Sequence, residues 1–171
     1  MPTMPEPGTV ANSRVHMTQV VMPNNTNTHG TVFGGEIMSW IDICAGVSAQ
    51  RHCRNNVVTA SIDDVHFVTP IKLGFVVILE SELTAVFHTS MEISIVVMAE
   101  NPRTGERKLA VRAYSTFVSV NDQGNPKKCP PLKTISAEEK SREKAAQARR
   151  TRRLEHRRLE ALAAAESPEI S

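Results

Sequence analysis

Asn27-Thr28-His29-Gly30-Thr31-Val32-Phe33-Gly34-Gly35, followed by Glu36 to Ala49, is the stretch on which the reading of this chain turns. A glycine pair opens an apolar helix. Asp42 lies two turns into it and Asn27 sits in the loop before it. Ile37, Met38, Ile41, Ala45, Ser48 and Ala49 recur at helical spacing, which predicts a helix from Glu36 to about Arg51 with one buried stripe. Ala45, Gly46 and Ala49 are small enough to let a sheet or another helix approach closely. The first N–H groups of a helix have no intrahelical partner and sit at the positive end of its dipole. Such an end suits a carbonyl oxygen that becomes an oxyanion.

On either side the periodicity changes from helical to alternating. Arg14 to Val21 reads as a short strand that ends at Pro23, and Pro23 to Asn27 as a loop by its turn chemistry. Four strand patterns follow the helix: Val57 to Val68, Phe75 to Phe87, Met91 to Ala99 and Lys108 to Val120. In the third, Ile93, Ile95, Val97 and Ala99 alternate onto one face. Asn101-Pro102-Arg103-Thr104-Gly105 marks a hairpin. One strand, one long helix and four antiparallel strands make an α+β layer arrangement. One helix covers one sheet face, so the other face or the edges call for a partner, and an oligomer is expected.

The composition divides the chain. Residues 1–135 hold 11 acids and 11 bases, whereas residues 136–160 hold 9 bases and 5 acids. The net charge of +2 therefore arises in the C-terminal tail. Ser136-Ala137-Glu138-Glu139 has the form of a capping box, and a charged, alanine-rich helix should run from there to about Ala165, solvated and at most lightly packed. Residues 1–13, rich in proline, read as a disordered arm and not as a secretory signal. No apolar run is long enough to span a membrane. Three cysteines, Cys44, Cys53 and Cys129, without a Cys-x-x-Cys pair argue against a disulfide framework and a zinc site. A reducing, cytoplasmic setting is expected, with Cys44 as a buried small hydrophobe.

Asp42 is the leading candidate for chemistry. A carboxylate beside a packed apolar stripe is partly desolvated, which raises its pKa and suits a general base. Position alone fits a surface aspartate equally well. Thr59, Ser61 and Asp63 alternate on one strand face, either facing solvent or lining a pocket, and Asp64 faces the other way. His29, His66 and His88 show no metal-ligand spacing, and there is no nucleophile elbow or P-loop.

The run Asn27-x-x-Gly30-x-Val32-Phe33-Gly34-Gly35-x-Ile37-Met38-x-x-x-Asp42 resembles the signature of the hotdog-fold acyl-CoA thioesterases, in the acyl-CoA hydrolase branch. The likeness continues through Arg51-His52-Cys53, Val58 to Asp63, Phe67 to Gly74, Ser90-Met91-Glu92 and Phe117 to Val120. It covers residues 14–132, leaving 133–171 as the charged helical tail. The resemblance implies an antiparallel sheet wrapped around one long central helix. It implies hydrolysis of acyl-CoA to free coenzyme A and a carboxylic acid, with Asp42 as general base or nucleophile. Asn27 would position water and the thioester, and the Gly35 N–H would be the oxyanion donor. Gly34, Thr59, Ser61 and Ser90 would contact substrate. No metal or separate cofactor is implied, since coenzyme A is part of substrate and product. Relatives of this kind form dimers with the site between subunits, often as trimers of dimers. A hydratase of the fold would need a histidine where Val47 stands. Two rival readings remain: a non-catalytic acyl-CoA sensor, for which neither Asn27 nor Asp42 is needed, and a nucleic-acid binder using Arg149 to Arg158, a segment without aromatic stacking partners.

Overall fold

A 20-residue helix, α2 (Gly34–Cys53), lies in the concave face of a five-stranded antiparallel sheet in the computed structural model of the chain. The structure describes residues 8–166, apart from the side chains of Asp64 and of residues 164–166. The orientation expected for the Asp64 side chain and the expected disorder of residues 1–7 lie outside the described residues. The strands are β1 (Val15–Val20), β2 (Asn56–Phe67), β3 (Val76–Val86), β4 (Ser90–Glu100) and β5 (Arg107–Val120). Their order across the sheet is β1-β3-β4-β5-β2, so β1 and β2 are the edges. A short helix, α1 (Val10–Ser13), precedes β1, and α3 (Ala137–Glu166) follows β5.

The expected apolar stripe of α2 is buried, with Trp40 and Cys44 widening it. It meets Val77, Leu79 and Leu83 of β3, Met91, Ile93, Ile95 and Val97 of β4, and Phe117 of β5, all almost fully buried. Gly46 lies against the Phe117 ring, where an added Cβ would stand 3.5 Å away, an ordinary contact distance. Arg54 ends the helix in the left-handed region, at φ 55°, and turns the chain into β2.

Two expectations change. Residues 8–13 are part of the domain and not of an arm. Thr9 caps α1, Val10 and Ser13 are buried, Ser48 of α2 donates to the Ser13 carbonyl at 2.7 Å, and Leu83 N–H donates to the Ser13 hydroxyl at 3.0 Å. Pro-rich composition hid these few apolar and hydroxyl anchors. The second change concerns α3. It begins with the expected capping box: Glu139 N–H donates to the Ser136 hydroxyl and Ser136 N–H to the Glu139 carboxylate, both at 3.1 Å. Donation from the Ile135 N–H is the main reason the Glu139 carboxyl titrates below its usual range.

Beyond its cap, α3 is not a lightly packed solvated helix. It lies on the convex face of the sheet. Arg142 pairs with Glu82, Ala146 is fully buried, and Arg149 and Arg153 converge on Glu92, which is 0% exposed. Arg149 stacks over Tyr114 and Arg150 over Phe87. The chain thus covers part of its second sheet face by itself, with guanidinium groups meeting partly buried Glu82 and Asp63 and fully buried Glu92.

Candidate active site

Asp42 points from α2 toward the edge strand β2, where the Thr59 hydroxyl donates to its Oδ1 at 2.6 Å. Thr59 is exposed and Asp42 is partly buried, as expected of an acid beside the packed stripe of α2. The α2 surface next to Asp42 is apolar: Ile43 is about half exposed, and Val47 is also open.

The strand pattern predicts Thr59, Ser61 and Asp63 on one face. The structure separates them. Thr59 pairs with Phe117, but Ser61 pairs with Thr116, so Ala60 is an extra residue in β2. A bulge of this kind reverses the alternation beyond it. Thr59 consequently faces α2, whereas Ser61 and Asp63 face α3. Ser61 donates to Asp63 Oδ2 at 3.2 Å, and Arg153 meets the same oxygen at 3.1 Å. Ser90 also lies on the α3 side, in a small cleft of about 100 Å³ with Ser61, Thr116, Arg150 and Arg153. Within one chain, Ser61 and Ser90 do not share a site with Asp42.

Asn27 is held by its own loop. Its carbonyl oxygen accepts from the N–H groups of His29 at 2.9 Å and Thr31 at 3.3 Å, and its amide donates to the Thr31 hydroxyl at 3.0 Å. Gly30, at φ +69°, makes the turn that allows this. These bonds fix the Asn27 side chain beside its own loop, without a bond to Asp42 of the same chain. The orienting role of Thr31 escaped sequence reasoning, and so did that of Asn25. The Asn25 amide donates to Glu36 Oε1 at 2.9 Å, tying the loop to the first turn of α2. The available signal was Glu36 itself, an acid in a helix first turn.

Gly34 and Gly35 form the start of α2, with Gly35 exposed and the Phe33 ring so close that a Cβ on Gly35 would collide with it. An open apolar groove of about 340 Å³ runs from Gly34 past Val32, Ile37, Phe67, Val68 and Ile71. Thiol chemistry is disfavoured here. Cys44 is fully buried and burial pushes its thiol up, while the Cys129 thiol is pushed up to about 11, again by burial. Among the described residues no group of three or more His, Cys, Asp or Glu is placed to hold a metal ion, and no helix is long and apolar enough to cross a membrane.

Comparison with known proteins bears on this arrangement. Residues 29–106 match the thioesterase superfamily. An uncharacterized acyl-CoA thioester hydrolase of Bacillus subtilis is 44% identical over 135 residues, covering 79% of this chain and 78% of that protein. The mouse cytosolic acyl coenzyme A thioester hydrolase is 37% identical over 81% of this chain, which spans only 37% of that longer protein. Among solved structures, the acyl-CoA hydrolase of Staphylococcus aureus, in complex with butyryl coenzyme A, coenzyme A and coenzyme A disulfide, is 33% identical. Its TM-score is 0.83, with 92% of this chain and 96% of that one covered. The same enzyme has been solved with an aspartate, an asparagine or a threonine replaced by alanine, the asparagine variant in complex with coenzyme A. A hexameric acyl-CoA thioesterase, without ligand, is 38% identical, also with a TM-score of 0.83, covering 88% of this chain and 96% of that one. An antiparallel sheet curled around α2, an acid on that helix and these likenesses together show that the chain belongs to the thioesterase superfamily, among the hotdog-fold acyl-CoA thioester hydrolases.

Proposed function

We propose that the chain hydrolyses acyl-CoA thioesters at a site shared by two copies, with Asp42 from one copy and Asn27 and the Gly35 N–H from the other. Asp42 takes a proton from water as the water oxygen adds to the thioester carbonyl. The carbonyl oxygen becomes an oxyanion at the Gly35 N–H. Collapse breaks the C–S bond, and the proton returns from Asp42 to the departing coenzyme A thiolate. The apolar groove beside Gly34 gives the acyl chain a surface to lie on.

The observation that carries this reading is the setting of the Asp42–Thr59 pair. It opens onto the free edge of β2 beside exposed Ile43 and Val47 of α2, while Asn27 is turned into its own loop. A second copy docked along β2 would bury that apolar surface, desolvate Asp42 and bring its own Asn27 loop across. The three replaced residues of the Staphylococcus enzyme have the same sequence separations as Asn27, Asp42 and Thr59, which supports giving these three the central roles. We further infer a trimer of dimers, as the hexameric relative suggests, and a cytoplasmic setting, in keeping with three free thiols and a relative named as cytosolic.

Subunit complementation tests the shared site. Asn27→Ala and Asp42→Ala homo-oligomers should each be inactive, and mixing them with demonstrated subunit exchange should restore partial release of coenzyme A. No recovery would mean that each chain builds its site alone. A pair of inactive variants that still binds acyl-CoA, beside a wild type that releases no thiol, would favour the sensor reading.

A further inference from the structure

We propose that Arg153, through its ion pair with Asp63, is a positioning residue for the Asp42 carboxylate. This rests on the reading of Asp42 as the base. The residue comes from the tail helix, which the sequence placed outside the functional domain.

β2 is an edge strand with a single neighbour, β5. Its pairing is interrupted twice, between Thr59 and Ser61 and between Asp63 and His66. The three residues between these breaks, Ser61 to Asp63, set where the first bulge falls. Thr59 adjoins this segment across the bulge, so drift of Ser61 to Asp63 away from β5 would displace Thr59 and lengthen its 2.6 Å hydrogen bond to Asp42. Thr59 is exposed, so packing does not hold its rotamer.

Polar contacts hold the short segment instead. The Ser115 hydroxyl donates to the Ser61 carbonyl at 3.1 Å, and the Ser61 hydroxyl donates to Asp63. Arg153 then bonds Asp63 Oδ2 at 3.1 Å and Glu92 Oε2 at 3.0 Å with the same nitrogen. Because β5 lies between β4 and β2, this guanidinium straps the edge strand across its neighbour to the interior of the sheet. The anchor is firmly held: Glu92 is 0% exposed and is also bound by Arg149 at 2.7 Å and the Thr84 hydroxyl at 2.7 Å. The Arg153 side chain is itself only 16% exposed, so the contact is not one of the weak ion pairs of an open surface. A line of contacts thus runs from α3 through Asp63 and the bulge to Thr59 and Asp42.

Displacing a reacting group by about 1 Å can lower turnover about a hundredfold. Arg153→Met and Asp63→Asn, made in the full-length oligomer, should each lower kcat about ten- to a hundredfold with KM nearly unchanged. Arg153→Lys should recover part of the loss. The deciding measurement is the same pair of substitutions in a Thr59→Val background. Thr59→Val lowers kcat on its own, and adding Arg153→Met or Asp63→Asn should then change little, because the path they act through is already cut. Equal fold-losses in both backgrounds, or folded Arg153 and Asp63 variants with wild-type kcat, would overturn the proposal. Should Arg153→Met fail to assemble, Asp63→Asn, which leaves Glu92 fully paired, decides the same question. Asp42→Asn, assayed alongside, separates the role of Asp42 from that of Arg153. An active Asp42→Asn variant removes Asp42 as the base. An inactive one beside unaffected Arg153 and Asp63 variants overturns the positioning role alone.

Discussion

Arg149→Met should destabilise the protein by about 3 kcal/mol, through the charge it leaves behind on Glu92. Glu92 is fully buried on the convex face of β4. Arg149 contributes three of its contacts, at 2.7 Å to Oε1 and 3.2 Å to each oxygen. Removing one partner of a buried ion pair costs about 3–5 kcal/mol, since the remaining charge is neither solvated nor compensated. Arg153 and Thr84 still reach Glu92, which places the expected loss at the lower end. Loss of the stack on Tyr114, 3.7 Å from guanidinium to ring centroid, supplies about 0.5–1 kcal/mol of that total. Methionine retains the apolar stem, so little of the effect is lost packing. For a chain of this size the thermal midpoint should fall by about 6–12 °C. The assay is thermal and denaturant unfolding at one fixed protein concentration, because oligomer stability depends on it. The double variant Glu92→Leu/Arg149→Met is the control. Replacing both ends of a buried pair by apolar groups is close to neutral, so it should regain most of the loss. A single variant within about 0.5 kcal/mol of wild type, against the 3 kcal/mol expected of a stranded charge, would show that Glu92 is not left uncompensated. A double variant no more stable than the single one would equally rule out the stranded charge as the cause.

Two further outcomes follow from buried groups elsewhere. His52 packs beneath the chain that leads to α3, with Nε2 2.9 Å from the Pro130 carbonyl and no hydrogen-bond partner for Nδ1 among the described residues. Burial lowers its pKa below the ordinary 6.5. The unfolded chain then binds the extra proton first, so stability is fully present above about pH 6.5 and declines as the pH falls from there toward the folded-state pKa. His52→Gln should flatten that part of a pH–stability curve, and an unchanged slope would show that His52 does not titrate in this way. Val10→Ala should cost about 2 kcal/mol in unfolding experiments, two methyl groups plus a residual cavity, because Val10, the first residue of α1, is 2% exposed. A loss under about 0.5 kcal/mol would return residues 8–13 to the status of a loose arm.

Local signals were enough for the elements themselves. The stripe on α2, the alternation along β4 and the Ser136–Glu139 capping box each lie within a few residues of sequence, and each reappears in the structure where periodicity or end-group chemistry put it. Asp42 and the Gly34-Gly35 helix start were legible for the same reason: both belong to one helix whose geometry sequence spacing dictates. Relations that cross the sheet were not legible in this way. A period of two predicts Ser61 beside Thr59, and one extra residue at Ala60 reverses it, a consequence of how β2 registers against β5. The charged face of α3 looks solvated until Arg149 meets Glu92, 57 residues away in the chain. Whether a carboxylate or guanidinium is solvated or buried depends on what packs against it. That is settled by the assembled fold alone, because desolvation is a property of neighbours and not of the residue.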